Sequence, residues 1–142
     1  MAKIELVKVQ GEFGFETTDE NGHLTKIDGS ADIGGQEFGS RPMHLLLKGL
    51  AGCAGIDVLL ILKKQKQEVN GFKIIINAER EAVDHFSLWR NIEMTFHVSG
   101  HVERGKVERA VELSLNKYCS VAETLRRAGA EITTNIIVNN EN

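Results

Sequence analysis

The chain is 142 residues long, 42% hydrophobic and 26% charged, with a net charge of −3 at pH 7. That length supports one good core and is too short for two ordinary domains, so a single soluble domain over residues 1–142 is expected. No broad basic surface recommends a nucleic-acid partner, MAKIELVKVQ lacks the apolar core of a secretory signal, and two cysteines make no secreted disulfide scaffold; the expectation is a cytoplasmic protein with reduced thiols.

Residues 4–9 alternate imperfectly and predict a strand of unsettled register. EFGFETT predicts a second strand with Phe13 and Phe15 on one face, and Asn21-Gly22 is a two-residue hairpin signal. GSADIGGQEFGS, residues 29–40, reads as a glycine-rich loop; without a following Gly-Lys-Ser/Thr it is no phosphate-binding loop. Pro42 then opens a helical run, PMHLLLKGLAGCAGIDVLLILKKQKQEV, with proline at its favoured first position and lysines suited to its end. Residues 45–62 resemble a membrane span in composition. Lys48, Asp57 and the interspersed glycines make that costly, so no membrane is expected as a partner.

The better account is a buried helix, apolar on nearly every side. At about 1.5 Å per residue it would be roughly 40 Å long, too long for one small domain to cover. A homodimer that buries it solves the problem, with Gly49, Ala51, Gly52, Ala54 and Gly55 admitting other backbone closely.

Beyond the helix, GFKIIINAEREAV and RNIEMTFHVSGHV predict two strands joined by a loop, the second turning Ile92, Met94, Phe96 and Val98 inward. Val107, Ala110, Val111, Leu115 and Tyr118 recur at amphipathic helical spacing. A short helix follows from Ser120, stopped by Gly129, and EITTNIIV is the last strand. The polar ending NNEN is expected to fray. The order βββ–α–ββ–αα–β segregates strands from helices, so the fold class is α+β.

Both cysteines have informative addresses. Ser120-Val121-Ala122-Glu123 reads as a capping box, with Ser120 as the N-cap and Glu123 reaching back to it. Cys119 then falls just outside the helix, near the positive end of a helix dipole, where a thiolate is favoured. Cys53 lies inside the long helix among small residues that leave room beside its sulfur. The alternative is that both are buried cysteines acting as small hydrophobes.

PMHLLLKGLAGCAGIDVLLILKK together with GKVERAVELSLNKYCSV resembles the OsmC/Ohr family, in its OsmC-like branch. The resemblance covers nearly the whole chain. It implies an intertwined homodimer with long central buried helices wrapped by antiparallel sheets, and thiol-dependent reduction of small organic hydroperoxides at the dimer interface. It also implies that Cys53 is the peroxidatic cysteine and Cys119 the resolving one, and that the reductant is a dithiol of the lipoyl type. The chemistry suits the roles, because a thiolate that attacks a peroxide becomes a sulfenic acid, which a second thiol condenses to a disulfide.

The chain departs from the family pattern of a glutamate in the first turn of the long helix and an arginine from the N-terminal half. Met43 and His44 occupy that first turn, and no arginine precedes Arg41. Arg41 or Lys26 is a candidate cation for Cys53; His44 reads as an exposed helix-start residue unless a dimer partner presents it. Asp57, one turn after Cys53, would raise a neighbouring thiol's pKa and reads as an acid paired with Lys48 or backbone N–H groups. His23 and His101 read as solvated, His85 and His97 show no metal-ligand spacing, and Phe86 and Trp89 read as packing residues. No metal or cofactor is called for. Two other functions stay open: a non-catalytic dimer that binds a hydrophobic small molecule, and a thiol redox sensor without turnover.

Overall fold

The computed structural model describes residues 1–141. The chain divides into two compact units, one covering Met1–Lys48 and one from Gly49 onward. The first unit contains a three-stranded antiparallel sheet of β1 (Glu5–Gln10), β2 (Gly14–Thr18) and β3 (Leu24–Ile27). β2 and β3 are joined by residues 19–23 rather than by a two-residue Asn-Gly turn, since Thr18 pairs with Leu24. Asp19 organises that loop: its carboxylate accepts from the Asn21 N–H at 2.8 Å and the His23 N–H at 3.0 Å. Phe13 lies just outside β2, so only Phe15 of the expected pair is a strand residue.

The glycine-rich loop is held by one acid. Asp28 is buried, and its carboxylate accepts from the N–H groups of Gly29, Gln36 and Phe38 at 2.7, 2.9 and 3.2 Å. These donors, Gln36 foremost, outweigh burial and hold Asp28 below the ordinary carboxylate pKa. Gly39 has a steric reason: a Cβ there would collide with the Lys26 backbone, where residue 40 bridges to Ile27.

Helix α1 (Pro42–Lys64) begins at proline, with the Arg41 carbonyl accepting from His44 and Leu45. It stops five residues before the expected end. Lys66 adopts a left-handed φ of 58°, the Lys66 N–H donates to the Lys63 carbonyl and the Gln67 N–H to that of Leu62. This is a Schellman stop built without the usual glycine, which is why the sequence does not announce it. Within a single chain α1 is covered on one side only, in keeping with a helix too long for one small domain to bury. Leu50, Ala54, Val58 and Leu62 form one buried stripe, while Leu46, Ile56, Leu59 and Leu60 are exposed. The helix is long and apolar enough to cross a membrane by length and composition.

Two long strands carry the second unit, β4 (Glu68–Val83) and β5 (Phe86–His101). They pair antiparallel from Val83↔Phe86, so the expected loop is a two-residue turn at Asp84-His85, with Asp84 at φ 56°. Phe86 therefore sits at a hairpin tip and is exposed rather than packed; Trp89 is buried, with the Arg80 guanidinium 4.8 Å from its ring centre. Ile92, Met94, Phe96 and Val98 all point inward and are buried, as the alternation of β5 requires. α1 lies over β4, since a Cβ on Gly55 would touch Phe72 and Ile74.

Helix α2 (Arg104–Leu113), a π-helical turn (Ser114–Tyr118) and helix α3 (Ser120–Arg127) lead to β6 (Glu131–Asn140). β6 pairs parallel with β5, so this sheet is mixed rather than wholly antiparallel. A parallel neighbour needs such a crossover connection, and the two helices supply it. Val107, Ala110, Val111 and Leu115 are buried as expected, but Tyr118 is 51% exposed. The π turn takes extra residues per turn and rotates Tyr118 off the apolar face. Gly129, at φ 105°, closes α3 as a Schellman stop, with Ala130 N–H donating to Leu125. The C-terminal asparagines do not fray as far as they are described: Asn140 donates to the Val102 carbonyl and the Glu141 N–H to Gly100, while Asn142 lies outside the described residues.

Candidate active site

The second unit brings both cysteines together. The Sγ atoms of Cys53 and Cys119 and a carboxylate oxygen of Asp57 all lie within 4.8 Å of one another. Cys53 and Asp57 reach this point from adjacent turns of α1 at i, i+4 spacing, which places them on one helix face. Cys119 arrives from the junction of the π turn and α3. Cys53 is half-buried, whereas Cys119 is 3% exposed.

The local structure at Cys119 corrects the sequence reading by one residue. Cys119 itself is the N-cap of α3, with extended φ, ψ of −77°, 100°, and its sulfur accepts the Ala122 N–H at 3.4 Å. The Glu123 N–H donates to the Cys119 carbonyl at 3.1 Å, so Ser120 is the first helical residue and not the cap. The Glu123 carboxylate pairs forward with Arg127 at 2.9 Å instead of reaching back. A sulfur replaces the expected hydroxyl because the π turn closes on Cys119, whose N–H donates to the Ser114 carbonyl at 2.7 Å, and the backbone turns extended there.

The expected low pKa of Cys119 is also overturned. Burial pushes its thiol up from 9.0 to about 11, the Cys53 thiol and the Asp57 carboxylate push the same way, and the single Ala122 N–H pulls against them. Helix-end placement favours a thiolate only modestly, and it loses to desolvation when the sulfur is this deeply buried.

Asp57 is not paired with Lys48, whose ammonium donates to Ser40. Its Oδ2 accepts from the Ser114 hydroxyl at 2.9 Å. Ser114 is fully buried and thus serves both halves of the site, through its hydroxyl to Asp57 and its carbonyl to Cys119. The sequence offers no signal for it: a serine at the end of an amphipathic helix has no distinguishing spacing. Of the three residues considered as aids to Cys53, Lys26 lies 4.9 Å over the Phe38 ring, Arg41 caps α1 with its carbonyl, and His44 is an exposed first-turn residue. A groove of about 520 Å³ opens beside Asp57, lined by Leu60, Ile61, Lys64, Gln65, Leu113 and Tyr118.

Comparison with known proteins bears on this geometry. The profile of the family described as OsmC-like protein matches residues 29–135, the stretch that contains both cysteines and the whole of α1. The chain belongs to the OsmC-like family. It is 37% identical over 109 residues to Protein YhfA of Escherichia coli (strain K12), covering 76% of this chain and 78% of that protein. A crystal structure of a protein from Aquifex aeolicus VF5 is 31% identical with a TM-score of 0.83, covering 100% of this chain and 98% of the other. The OsmC-like fold is further seen in a Mycoplasma pneumoniae OsmC-like protein, 15% identical with a TM-score of 0.80 over 98% and 97% of the two chains. An organic hydroperoxide resistance protein OsmC from Legionella pneumophila is 13% identical, with a TM-score of 0.67 over 98% and 96%.

Proposed function

We propose that this OsmC-like protein is a thiol-dependent peroxidase that reduces organic hydroperoxides through Cys53 and Cys119. The observation that carries the reading is the convergence of the two sulfurs within 4.8 Å. The half-buried Cys53 is the attacking thiol, since a peroxide reaches it more easily than it reaches the enclosed Cys119. Its thiolate attacks the O–O bond, takes one oxygen as a sulfenic acid and releases the alcohol. Cys119 then attacks that sulfur, forming the Cys53–Cys119 disulfide and water. The Asp57 carboxylate, close to both sulfurs and oriented by Ser114, accepts the proton that the buried Cys119 thiol must lose and passes it to the departing sulfenic oxygen, which leaves as water. A dithiol reductant of the lipoyl type returns both thiols, because its second sulfur resolves the mixed disulfide intramolecularly. The exposed apolar face of α1 (Leu46, Ile56, Leu59 and Leu60) supports a homodimer as the working form, and two reduced thiols suit a cytoplasmic setting.

The test is turnover of cumene hydroperoxide with dihydrolipoamide, and mass spectrometry after one equivalent of peroxide. An internal Cys53–Cys119 disulfide with multiple turnover is expected. Absence of both peroxide consumption and the disulfide in folded protein overturns the proposal. A non-catalytic binder of hydrophobic molecules is favoured by one observation, the apolar part of the groove at Leu60, Ile61 and Leu113; an apolar ligand retained through purification together with no turnover selects it.

A further inference from the structure

Three ligating groups, two from α1 and one from the start of α3, converge at the thiol site, and they carry a second chemistry. We propose that Cys53, Asp57 and Cys119 form a binding site for one thiophilic divalent cation of the zinc class. The donor set is two sulfurs and one carboxylate oxygen, mutually within 4.8 Å. Zinc takes thiolate at about 2.3 Å and carboxylate at about 2.0–2.2 Å, so the tetrahedral donors of this set stand roughly 3.5–3.8 Å apart. The three groups need to close by at most about 1 Å, a movement that side-chain rotation of the half-buried Cys53 supplies.

The arrangement has the local features of a ligand set. Cys53 and Asp57 stand four residues apart on α1, the spacing by which a helix offers two ligands to one ion. Behind them the Ser114 hydroxyl fixes Asp57 Oδ2 at 2.9 Å and leaves the other carboxylate oxygen for coordination. The third ligand is fixed as firmly: Ala122 donates its N–H to the Cys119 sulfur at 3.4 Å, and the Ser114 carbonyl accepts the Cys119 N–H at 2.7 Å. Such outer hydrogen bonds orient ligands and sharpen affinity. Two soft sulfurs select zinc-class ions over magnesium or calcium, which take oxygen donors. Charge argues the same way. A cation that displaces the two thiol protons meets two thiolates and a carboxylate, and among the described residues no ion pair involves Asp57. Three protein ligands leave a fourth position open to water or to another donor.

The site uses the same sulfurs as the peroxidase reading but does not rest on turnover. The test is a titration of the reduced, full-length, metal-free protein with Cd²⁺, followed by its ultraviolet thiolate-to-cadmium charge-transfer band, with Zn²⁺ as competitor. One Cd²⁺ per chain, displaced by Zn²⁺, is expected. Cys53→Ser and Cys119→Ser each weaken binding by roughly tenfold or more, and Asp57→Asn weakens it roughly tenfold while the band persists. No band, or a band whose affinity Asp57→Asn leaves unchanged, overturns the three-ligand site and leaves an adventitious dithiol chelate only. Should the cysteine variants fail to fold, the wild-type protein still decides: stoichiometric Zn²⁺ must slow alkylation of both thiols, and unchanged alkylation overturns the proposal. Loss of peroxidase turnover alone leaves the cadmium result standing, so the two readings fail separately.

Discussion

Cys53 sits midway along α1, half-buried, beside Gly49 and Gly52, where an added Cβ would meet nothing within 4 Å. Cys119, whose sulfur lies within 4.8 Å of it, is enclosed at the N-cap of α3, accepts a backbone N–H on that sulfur, and has its thiol pushed up to about 11. The same functional group thus occurs in an open setting and in a closed one. The contrast teaches that a thiol's position at a helix start does not by itself make it reactive. The dipole acts over a single turn and is worth a fraction of a kcal/mol to about 1, whereas burial acts on the whole ionised form.

The strongest test of that contrast is to remove each thiol in turn. Cys53→Ser is expected to abolish peroxide consumption, a loss of several orders of magnitude in a coupled dithiol assay, because no sulfenic acid can form. Cys119→Ser should still react once and then over-oxidise at Cys53 under excess peroxide, seen as two or three added oxygens by mass spectrometry. Oxidation appearing first on Cys119 in the Cys53→Ser protein, with peroxide consumed at the wild-type rate, would reverse the assignment.

A smaller effect tests what holds the two settings together. Ser114→Ala removes the hydroxyl that Asp57 Oδ2 accepts from and is expected to cost about 1–3 kcal/mol in urea unfolding, the range for a buried polar group losing its partner. Wild-type stability in that variant would mean that water replaces the serine.

The pH dependence of stability follows from the closed setting. The folded Cys119 pKa lies above its ordinary value of 9.0, so the neutral thiol is favoured by folding. Its contribution is complete below pH 9 and is lost as pH rises toward about 11. Urea midpoints across that range should fall more steeply in the wild type than in Cys119→Ser; equal slopes would show that the thiol is solvated. Smallest of all is Ser120→Ala, expected within about 0.5 kcal/mol because Ser120 is not the cap. A loss near the ~1 kcal/mol of a true N-cap would restore the capping box.

Much of this protein was legible in its sequence. The order of strands and helices, the inward set Ile92, Met94, Phe96 and Val98, the Pro42 start and the Gly129 stop follow from periodicity and turn chemistry. These are interactions over two to five residues, and the local code carries them. The two cysteine motifs marked the family as well. Tertiary structure alone decided the rest. The π turn that moves the α3 cap from Ser120 to Cys119 and turns Tyr118 outward is one instance. The parallel pairing of β6 and the left-handed Lys66 that ends α1 early are others. So is the meeting of Ser114 with Asp57, 57 residues away. Each depends on which distant surface a residue is pressed against, and desolvation of Cys119, a property of the packed core and not of its neighbours in sequence, set the character of its thiol.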